Sequence, residues 1–271
     1  MGKQKIFALA LCCLYAIFLI KVPVYNFAVS KVNRHLSYTN LIAHACGAYH
    51  GIAYTNSLNA LERNFEKGFR IFEIDFSLTT DNKVIMLHDT SFTMKDLFGS
   101  DAMRFTHEKF IKSKTKYNLD LMDIDILANW LKNHTDAYVI IDYKKDGMQI
   151  LKSICDKCGE ILQRFYVQIY TFEEYSDIRE MGFGEIILTL YMSAYRDEDI
   201  VNFVRENNIY AVTMPVNRAE TQLPMILKKI NVRVFAHTVN SKGIYSKLLY
   251  NGVYGIYTDS IYPWESHLSA H

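Results

Sequence analysis

The chain has 271 residues, of which 50% are hydrophobic, and its formal net charge is +1. A chain of this length and apolar content can bury one large core, which predicts a single main domain. The nearly balanced charge, without an aromatic and basic stripe or the cysteine and histidine spacing of a zinc finger, argues against a nucleic-acid-binding protein.

The first predicted element is an apolar segment at the N-terminus. Lys3 and Lys5 precede an unbroken apolar run over residues 6–20, which ends at Lys21. This pattern is typical of a secretory signal peptide or a signal anchor, although the run is shorter than the about 20 residues of a full membrane span. We expect residues 1–30 to direct export and to remain as a membrane anchor, with the following domain in the periplasm or outside the cell.

The domain is predicted to cover residues 38–271, and one of its first strands has an acidic face. Residues 71–77 alternate strictly between apolar and polar side chains, so that Glu73 and Asp75 lie on the same face. Two adjacent carboxylates repel each other, and a bound divalent cation such as Mg²⁺ or Ca²⁺ would offset that repulsion. A solvated edge strand is the alternative interpretation, and the alternation alone does not separate the two.

Histidines follow two short apolar runs on either side of this strand. His44 follows residues 41–43, and His88 follows residues 84–87. A single histidine at the end of a strand is more often a packing or capping residue. Two of them flanking an acidic strand can supply the proton acceptor and the proton donor that cleavage of a phosphodiester requires.

The segment over residues 90–122 does not fit a regular alternation of strands and helices. It is too long for a simple connection, and it carries apolar side chains among charged ones. We predict an insertion that covers the site or binds the substrate. A peripheral excursion packed on the rest of the domain is the alternative.

A third carboxylate and a cation come at the end of another strand signal. Residues 138–144 form a β-rich run in which Asp142 and Lys144 lie on the same face. An ordinary surface ion pair, which contributes little to stability, is one interpretation. The other is that Asp142 completes a metal site with Glu73 and Asp75, and that Lys144 holds a phosphate group.

The rest of the chain alternates further strand and helix signals. Helices are predicted near residues 172–181, 197–207, 221–229 and 241–250. Eight strands are predicted, at 41–44, 71–77, 138–143, 165–169, 185–190, 210–214, 232–236 and 254–257. Eight β/α units predict a (β/α)8 TIM barrel. The active site of such a barrel lies at the C-terminal ends of the strands, and the residues that fall there are His44, Asp142, Lys144, Gln168 and His237.

Several of these motifs occur together, and in this order, in one known family. They are Ile42-Ala43-His44 with Gly47, Thr55-Asn56-Ser57-Leu58-Asn59-Ala60, residues 68–75, Thr80-Asp81-Asn82, His88-Asp89, Asp142-Tyr143-Lys144, Thr238-Val239-Asn240 and residues 252–259. Over residues 41–262 the chain resembles the glycerophosphodiester phosphodiesterase family, whose superfamily also holds the bacterial phosphatidylinositol-specific phospholipases C. The resemblance implies that Glu73, Asp75 and Asp142 bind one divalent cation, Mg²⁺ or Ca²⁺. It also implies that His44 and His88 transfer protons.

Three positions depart from the family pattern. Ala45 stands where the family usually has an arginine that contacts the phosphate. Asp142 stands where a glutamate is more common, and His237 stands where a tryptophan is more common. We expect Lys144, or another cation such as Arg196, to replace the missing arginine.

The resemblance implies metal-assisted hydrolysis of a phosphodiester, with His44 as general base and His88 as general acid, or with the two roles exchanged. The expected partner is a glycerophosphodiester, a lipid headgroup or a surface polymer of glycerol phosphate. Four residues are expected to bind the substrate and its phosphate, namely Lys144, Gln168, His237 and Asn240. Two alternatives remain open: a phospholipase-like or lyase-like enzyme of the same superfamily at a membrane surface, and a non-catalytic binder of phosphorylated glycans.

Overall fold

Eight parallel strands close into a barrel in the computed structural model, which describes residues 40–88, 90–100, 104–191 and 193–263. The strands of the described residues are β1 (Leu41–Ala43), β2 (Ile71–Leu78), β3 (Val84–Met86), β4 (Tyr138–Tyr143), β5 (Phe165–Ile169), β6 (Glu185–Thr189), β7 (Ala211–Pro215), β8 (Arg233–His237) and β9 (Gly255–Thr258). Strand β1 closes the barrel because it pairs in parallel with both β9 and β2. The predicted TIM barrel is confirmed, whereas the predicted anchor lies outside the described residues.

The α-helices of the described residues follow the strands and pack around the barrel. They are α1 (Leu58–Glu66), α2 (Ser91–Phe98), α3 (His107–Lys112), α4 (Ile124–Asn133), α5 (Gly147–Cys158), α6 (Glu174–Glu180), α7 (Asp197–Glu206), α8 (Val216–Ala219), α9 (Leu223–Lys229) and α10 (Lys242–Tyr250). Five of them begin after a side chain that accepts a hydrogen bond from the backbone N–H three residues on, namely Ser57, Thr90, Thr106, Asp123 and Ser241. None of the helices in the described ranges has the length and apolar character needed to cross a bilayer.

Alternate side chains of the barrel strands belong to two different cores. One cluster fills the barrel interior below the acidic residues, and it consists of Ile42, Ile71, Ile140, Ile187, Ala211, Phe235 and Tyr257. The opposite faces of the strands, with residues such as Phe72 and Ile141, belong to the large cluster shared with the helices. Because the interior is packed with apolar side chains at this level, polar side chains are left at the C-terminal end of the barrel.

Strand β3 lies outside the barrel, because it turns back and pairs antiparallel with β2. The turn is fixed by Thr79, whose Oγ1 accepts a hydrogen bond from the backbone N–H of Lys83 at 2.9 Å. Asn82 takes a left-handed conformation (φ 59°), which asparagine tolerates better than most residues. The backbone N–H of Leu87 then donates to the carbonyl oxygen of Asp75 at 2.9 Å. His88 therefore reaches the barrel mouth from a hairpin beside β2.

The predicted insertion over residues 90–122 has a small core of its own. Apolar side chains from α2, α3 and the loops on either side of α3 pack with two residues of the β3 segment, and the cluster is Ile85, Leu87, Met94, Leu97, Phe105, Phe110, Leu119 and Leu121. Of the described part of this segment, residues 90–100 and 104–122, only the start reaches the cavity at the barrel mouth, through Thr90, Phe92 and Thr93. The insertion is therefore packed mainly on the β2–β3 hairpin, and its first helical turn borders the cavity.

Asp123 connects this insertion to the barrel. Its carboxylate accepts hydrogen bonds from the backbone N–H of Ile126 at 2.8 Å and from His107 Nε2 at 2.7 Å. We expect Asp123→Ala to lower the free energy of unfolding by about 1–2 kcal/mol, because α4 loses its N-terminal cap and His107 loses its partner. Urea unfolding measures this change. Asp125→Ala, at an exposed position in α4, is the matched control, and equal stability of the two variants would contradict the expectation.

Candidate active site

A cavity of about 550 Å³ opens at the C-terminal ends of the barrel strands. It brings together eight of the nine predicted site residues, all except Asn240. The side chains that line it are His44, Tyr54, Glu73, Asp75, His88, Thr90, Phe92, Thr93, Asp142, Lys144, Gln168, Tyr170, Thr189, Tyr191, Pro215, His237, Thr238 and Tyr257.

Three buried carboxylates form the centre of the cavity floor. Glu73 and Asp75 are alternate residues of β2, and Asp142 lies directly opposite Asp75 on β4. One oxygen atom from each of the three lies within 4.8 Å of the others. Burial and the charge of Asp75 raise the pKa of Glu73 to about 8. Burial and the charge of Asp142 likewise raise the pKa of Asp75. The cluster is therefore electrostatically unfavourable as three bare carboxylates.

The donor set of this cluster fits a divalent cation. Carboxylate oxygens are the ligands that hard cations such as Mg²⁺ and Ca²⁺ prefer. A positive charge between Glu73, Asp75 and Asp142 would also offset the mutual repulsion of buried like charges. These three residues could hold a metal ion, as the alternation on β2 and the end of β4 predicted.

Two neighbouring groups fix the orientation of the carboxylates. Asn56 is fully buried, donates from Nδ2 to Asp75 Oδ2 at 2.9 Å and accepts from the Asp75 backbone N–H at 3.0 Å. The backbone N–H of Ala45 donates to Glu73 Oε2 at 2.8 Å. Ala45 itself has a left-handed conformation (φ 47°). No role was predicted for Asn56 from the sequence, although its position inside the family motif Thr55-Asn56-Ser57 was the available signal.

His44 is held by a carboxylate that sequence reasoning did not identify. Its Nδ1 is 2.9 Å from Asp259 Oδ1, while its Nε2 is 4.0 Å from Glu73 Oε2. Burial lowers the pKa of His44, but the hydrogen bond to Asp259 and the charges of Glu73, Asp259 and Asp75 outweigh burial and raise it to about 9. Asp259 is in turn held by Asn240, which donates from Nδ2 to Asp259 Oδ2 at 2.7 Å.

His88 lies on the other side of the acidic cluster. Its Nε2 is 4.0 Å from Asp75 Oδ1. Its Nδ1 is 3.2 Å from Thr90 Oγ1 and 3.3 Å from Thr93 Oγ1, the two hydroxyl groups at the start of α2. The two imidazoles therefore flank the carboxylates, and each presents a nitrogen toward a different one of them.

Tyr54 lies between the two histidines and was not predicted. Its ring centroid is 4.7 Å from that of His44, in an edge-to-face arrangement, and 5.5 Å from that of His88. Its backbone is left-handed (φ 58°). The ring is thus packed against both imidazoles.

Among the described residues, Lys144 is the one lysine that lines the cavity. Its Nζ is 2.6 Å from Asp142 Oδ2 and also donates to the Tyr170 hydroxyl, which itself donates to Asp142 Oδ1. Burial lowers the pKa of Lys144, but the charge and hydrogen bond of Asp142 raise it above its ordinary value. Arg196, the other candidate for the missing family arginine, instead pairs with Asp199 at 2.8 Å and does not line the cavity.

The remaining predicted residues take different positions. Gln168 and His237 line the cavity, on β5 and β8. Asn240 does not, because its carboxamide oxygen accepts from the backbone N–H of Asp259 at 2.8 Å and from Thr258 Oγ1 at 3.0 Å. The structure thus places Asn240 beside Asp259, where it can orient that carboxylate, and not among the residues that line the cavity.

Because Asp259 contacts His44, replacement of Asp259 is expected to change the pKa of His44. Asp259→Asn removes a hydrogen-bonded negative charge, so we expect the pKa of His44 to fall from about 9 as burial becomes the dominant influence. An NMR titration of the His44 imidazole measures it. Ser260→Ala, at the next residue, is the control and should leave the pKa in place. A pKa that stays near 9 in Asp259→Asn would contradict the assigned role.

Comparisons with known proteins give a family match and several similar folds. A sequence model described as the glycerophosphoryl diester phosphodiesterase family matches residues 45–262. No curated protein has a significantly similar sequence. Among solved structures, the chain is similar to a glycerophosphodiester phosphodiesterase from Parabacteroides distasonis, with 16% identity, a TM-score of 0.67, and coverage of 84% of this chain and 95% of that one.

Two further solved structures show the same similarity. A glycerophosphodiester phosphodiesterase from Thermotoga maritima has 18% identity, a TM-score of 0.61, and coverage of 81% of this chain and 94% of that one. A phosphodiesterase from Oleispira antarctica, in complex with the product sn-glycerol-3-phosphate, has 14% identity, a TM-score of 0.65, and coverage of 84% and 95%. At these identities the likeness concerns the fold, and it supports the barrel.

Proposed function

Because this chain belongs to the glycerophosphoryl diester phosphodiesterase family and is thus a phosphoric diester hydrolase, we propose that it cleaves phosphodiesters of glycerol or a related polyol with the help of one divalent cation. The observation that carries the proposal is the buried cluster of Glu73, Asp75 and Asp142, flanked by His44 and His88 in one cavity. The product sn-glycerol-3-phosphate in the Oleispira antarctica phosphodiesterase supports a small substrate that contains glycerol phosphate.

Glu73, Asp75 and Asp142 would hold the cation, Mg²⁺ or Ca²⁺. When bound there, such an ion neutralises charge on the non-bridging phosphate oxygens and makes a nearby hydroxyl group or water more acidic. Lys144 lies beside Asp142 at the cavity wall and is the cation that can contact the phosphate in place of the family arginine absent at position 45.

His44 is proposed as the general base. Asp259 contacts Nδ1 and thereby leaves Nε2 to face the acidic cluster. With the proton on Nδ1, the lone pair of Nε2 can accept a proton from the attacking hydroxyl group or water. Much of the rise in the pKa of His44 comes from neighbouring carboxylates. Compensation of their charge lowers that pKa toward the range in which an imidazole acts as a base near neutral pH.

His88 is proposed as the general acid on the opposite side. Its Nδ1 contacts Thr90 and Thr93, and its Nε2 faces Asp75. From this position Nε2 would give a proton to the leaving alcohol oxygen. The phosphorus is attacked either by water or by a neighbouring hydroxyl group of the substrate. Attack by the hydroxyl group would give a cyclic phosphate, which is hydrolysed in a second step.

The test is release of sn-glycerol-3-phosphate from glycerophosphodiesters by the full chain, with Mg²⁺, Ca²⁺ or EDTA present. We expect release with at least one of the two ions and none with EDTA. Accumulation of a cyclic phosphate would identify attack by a substrate hydroxyl group. Saturable binding of the substrates without turnover in any condition would instead support a non-catalytic binder.

A second candidate, cleavage of a lipid headgroup at a membrane surface, has one supporting observation. Phe92 is 75% exposed and borders the cavity at the start of α2. An exposed aromatic ring at the mouth of a site can contact an apolar chain or the membrane interface. We expect Phe92→Ser to weaken turnover of a lysophospholipid more than that of the water-soluble glycerophosphodiester. Equal effects on both substrates would remove this candidate.

We also propose that the N-terminal segment exports the domain and anchors it to the membrane. The apolar run over residues 6–20 and its flanking lysines support this placement. Surface polymers of glycerol phosphate or lipid headgroups would then be within reach of the site. Protease treatment of intact cells tests the location, because only an exported domain is degraded.

A further inference from the structure

The cavity wall has a charged half and an uncharged half. The carboxylates and the lysine that line the cavity belong to β2, to β4 or to the position just after β4. In the part of the chain that the structure describes, the wall formed by β5 to β9 contributes no Asp, Glu, Lys or Arg to the lining. We call Gln168, Thr189 and His237, with the rings of Tyr191 and Tyr257, the neutral wall. A substrate whose phosphate lies over the acidic cluster would extend its alcohol part along this wall.

Gln168 and Thr189 keep unused hydrogen-bonding capacity toward the cavity. The Gln168 carboxamide is fixed because its Oε1 accepts from the Tyr257 hydroxyl at 2.9 Å. Its Nε2 donates to none of the described residues, although only 5% of the residue is exposed. The Thr189 hydroxyl oxygen accepts from the backbone N–H of Tyr191 at 3.4 Å and retains its own proton for a ligand.

His237 adds a neutral imidazole to this wall. Its ring lies between those of Tyr191 and Tyr257, with centroid distances of 5.9 and 6.0 Å. Its Nε2 is buried and has no hydrogen-bond partner among the described residues. Burial and the charge of His44 lower the pKa of His237 to about 4, so the ring is uncharged near neutral pH. An uncharged ring offers one donor and one acceptor but no positive charge that would attract a phosphate.

We propose that Gln168, Thr189 and His237 bind hydroxyl groups of the alcohol that the phosphate links to glycerol. The protein would then prefer phosphodiesters of polyols or sugars to those of amino alcohols such as choline. The proposal rests on the phosphodiesterase function proposed above and names its substrate class. A hydroxyl group both donates and accepts, so it can satisfy each of these groups. A quaternary ammonium group donates no hydrogen bond and would leave them unpaired in a buried wall. A second anionic group would find no counter-charge there.

The experiment compares kcat/KM of the full chain for glycerophosphoglycerol with kcat/KM for glycerophosphocholine, in the presence of Mg²⁺ or Ca²⁺. We expect a ratio of about ten or more in favour of the polyol diester. His237→Phe removes both ring nitrogens and is expected to lower this ratio about tenfold, the effect of one neutral hydrogen bond. Gln168→Leu should act in the same direction. Gln149→Leu, at an exposed position of α5, is the matched control and should keep the wild-type ratio.

The outcomes separate this proposal from the function on which it rests. Two results would overturn the neutral wall as an alcohol subsite: a wild-type preference for the choline diester, or an unchanged ratio of the two kcat/KM values in variants that keep the wild-type Tm. Neither result would contradict the proposed hydrolase function. If neither diester is cleaved, the proposed function fails, and NMR titration with glycerol and myo-inositol decides the subsite separately. The subsite is supported if glycerol or myo-inositol shifts the His237 ring signals in the wild type but not in Gln168→Leu. The subsite is overturned if neither compound shifts these signals in the wild type.

Discussion

Replacement of His88 by alanine is expected to lower kcat for phosphodiester hydrolysis by about 10²- to 10⁴-fold, the usual contribution of a general acid or base. His88 lies at the cavity wall, where its Nε2 is 4.0 Å from Asp75 and its Nδ1 contacts two threonine hydroxyls. The side chain is not part of an apolar core, so its removal should cost little stability. Steady-state kinetics and thermal unfolding measure the two effects.

The control for this variant is another histidine outside the cavity. His50 is exposed and contacts Arg63 through Nε2 at 3.1 Å, and it does not line the cavity. His50→Ala should keep kcat within a small factor of the wild type. A His88→Ala protein with normal kcat would remove His88 from the mechanism, whereas a large loss of Tm would assign it a structural role.

Glu73→Gln is expected to abolish hydrolysis and, at the same time, to stabilise the protein when no divalent cation is present. The carboxylate is 2% exposed and lies among Asp75 and Asp142, so its charge is repelled in the folded state. Glutamine keeps an oxygen that can accept from the Ala45 N–H but removes the charge and one anionic ligand. We expect a Tm higher by several degrees in EDTA and a much smaller rise in Tm on addition of Mg²⁺ or Ca²⁺.

The raised pKa of Glu73 makes the stability of the cation-free protein decrease as the pH rises. The pKa of Glu73 is raised from its ordinary value of 4.5 to about 8 in the folded state. The folded state therefore holds the proton more tightly than the unfolded state, and the stability gained is complete below pH 4.5 and lost as the pH rises through about 8. In EDTA the Tm of the wild type should fall over this range more steeply than that of Glu73→Gln.

Glu185→Gln, at the start of β6 and away from the acidic cluster, is the control for both effects. It should follow the wild type in its pH dependence and in its response to the ions. Parallel Tm curves for the wild type and Glu73→Gln in EDTA would show that the buried carboxylates do not repel each other as proposed.

The acidic cluster was predictable because strand geometry is encoded locally. Side chains alternate along a strand, so the spacing of Glu73 and Asp75 places both on one face. Asp142 could be added because the carboxyl ends of parallel strands meet at one end of a barrel. The register that sets Asp142 opposite Asp75 follows from that arrangement.

The contacts that orient the site were not predictable in the same way. Asp259 reaches His44 across 215 positions of sequence, and Asn56 reaches Asp75 from a loop with left-handed residues. Such contacts depend on loop conformations that no periodic pattern describes. For Asn240 the sequence identified a residue near the site but not its contact, because Asn240 was expected to bind the substrate and its side chain contacts Asp259. Position in a motif identifies a residue near the site but not the direction of its side chain.

The segment over residues 90–122 packs around its own core, so the part of the chain at the entrance of the barrel can vary without a change in the barrel. Strands β2 and β4 pair directly, from Ile71 opposite Tyr138 to Phe76 opposite Tyr143, without help from the segment between them. Chain length can therefore change between residues 90 and 122 while the barrel register stays the same. The same segment supplies Phe92 to the mouth of the cavity and two threonine hydroxyl groups, those of Thr90 and Thr93, to His88. A replacement segment that keeps these two threonines would therefore alter which molecules enter the cavity and would preserve the contacts of His88.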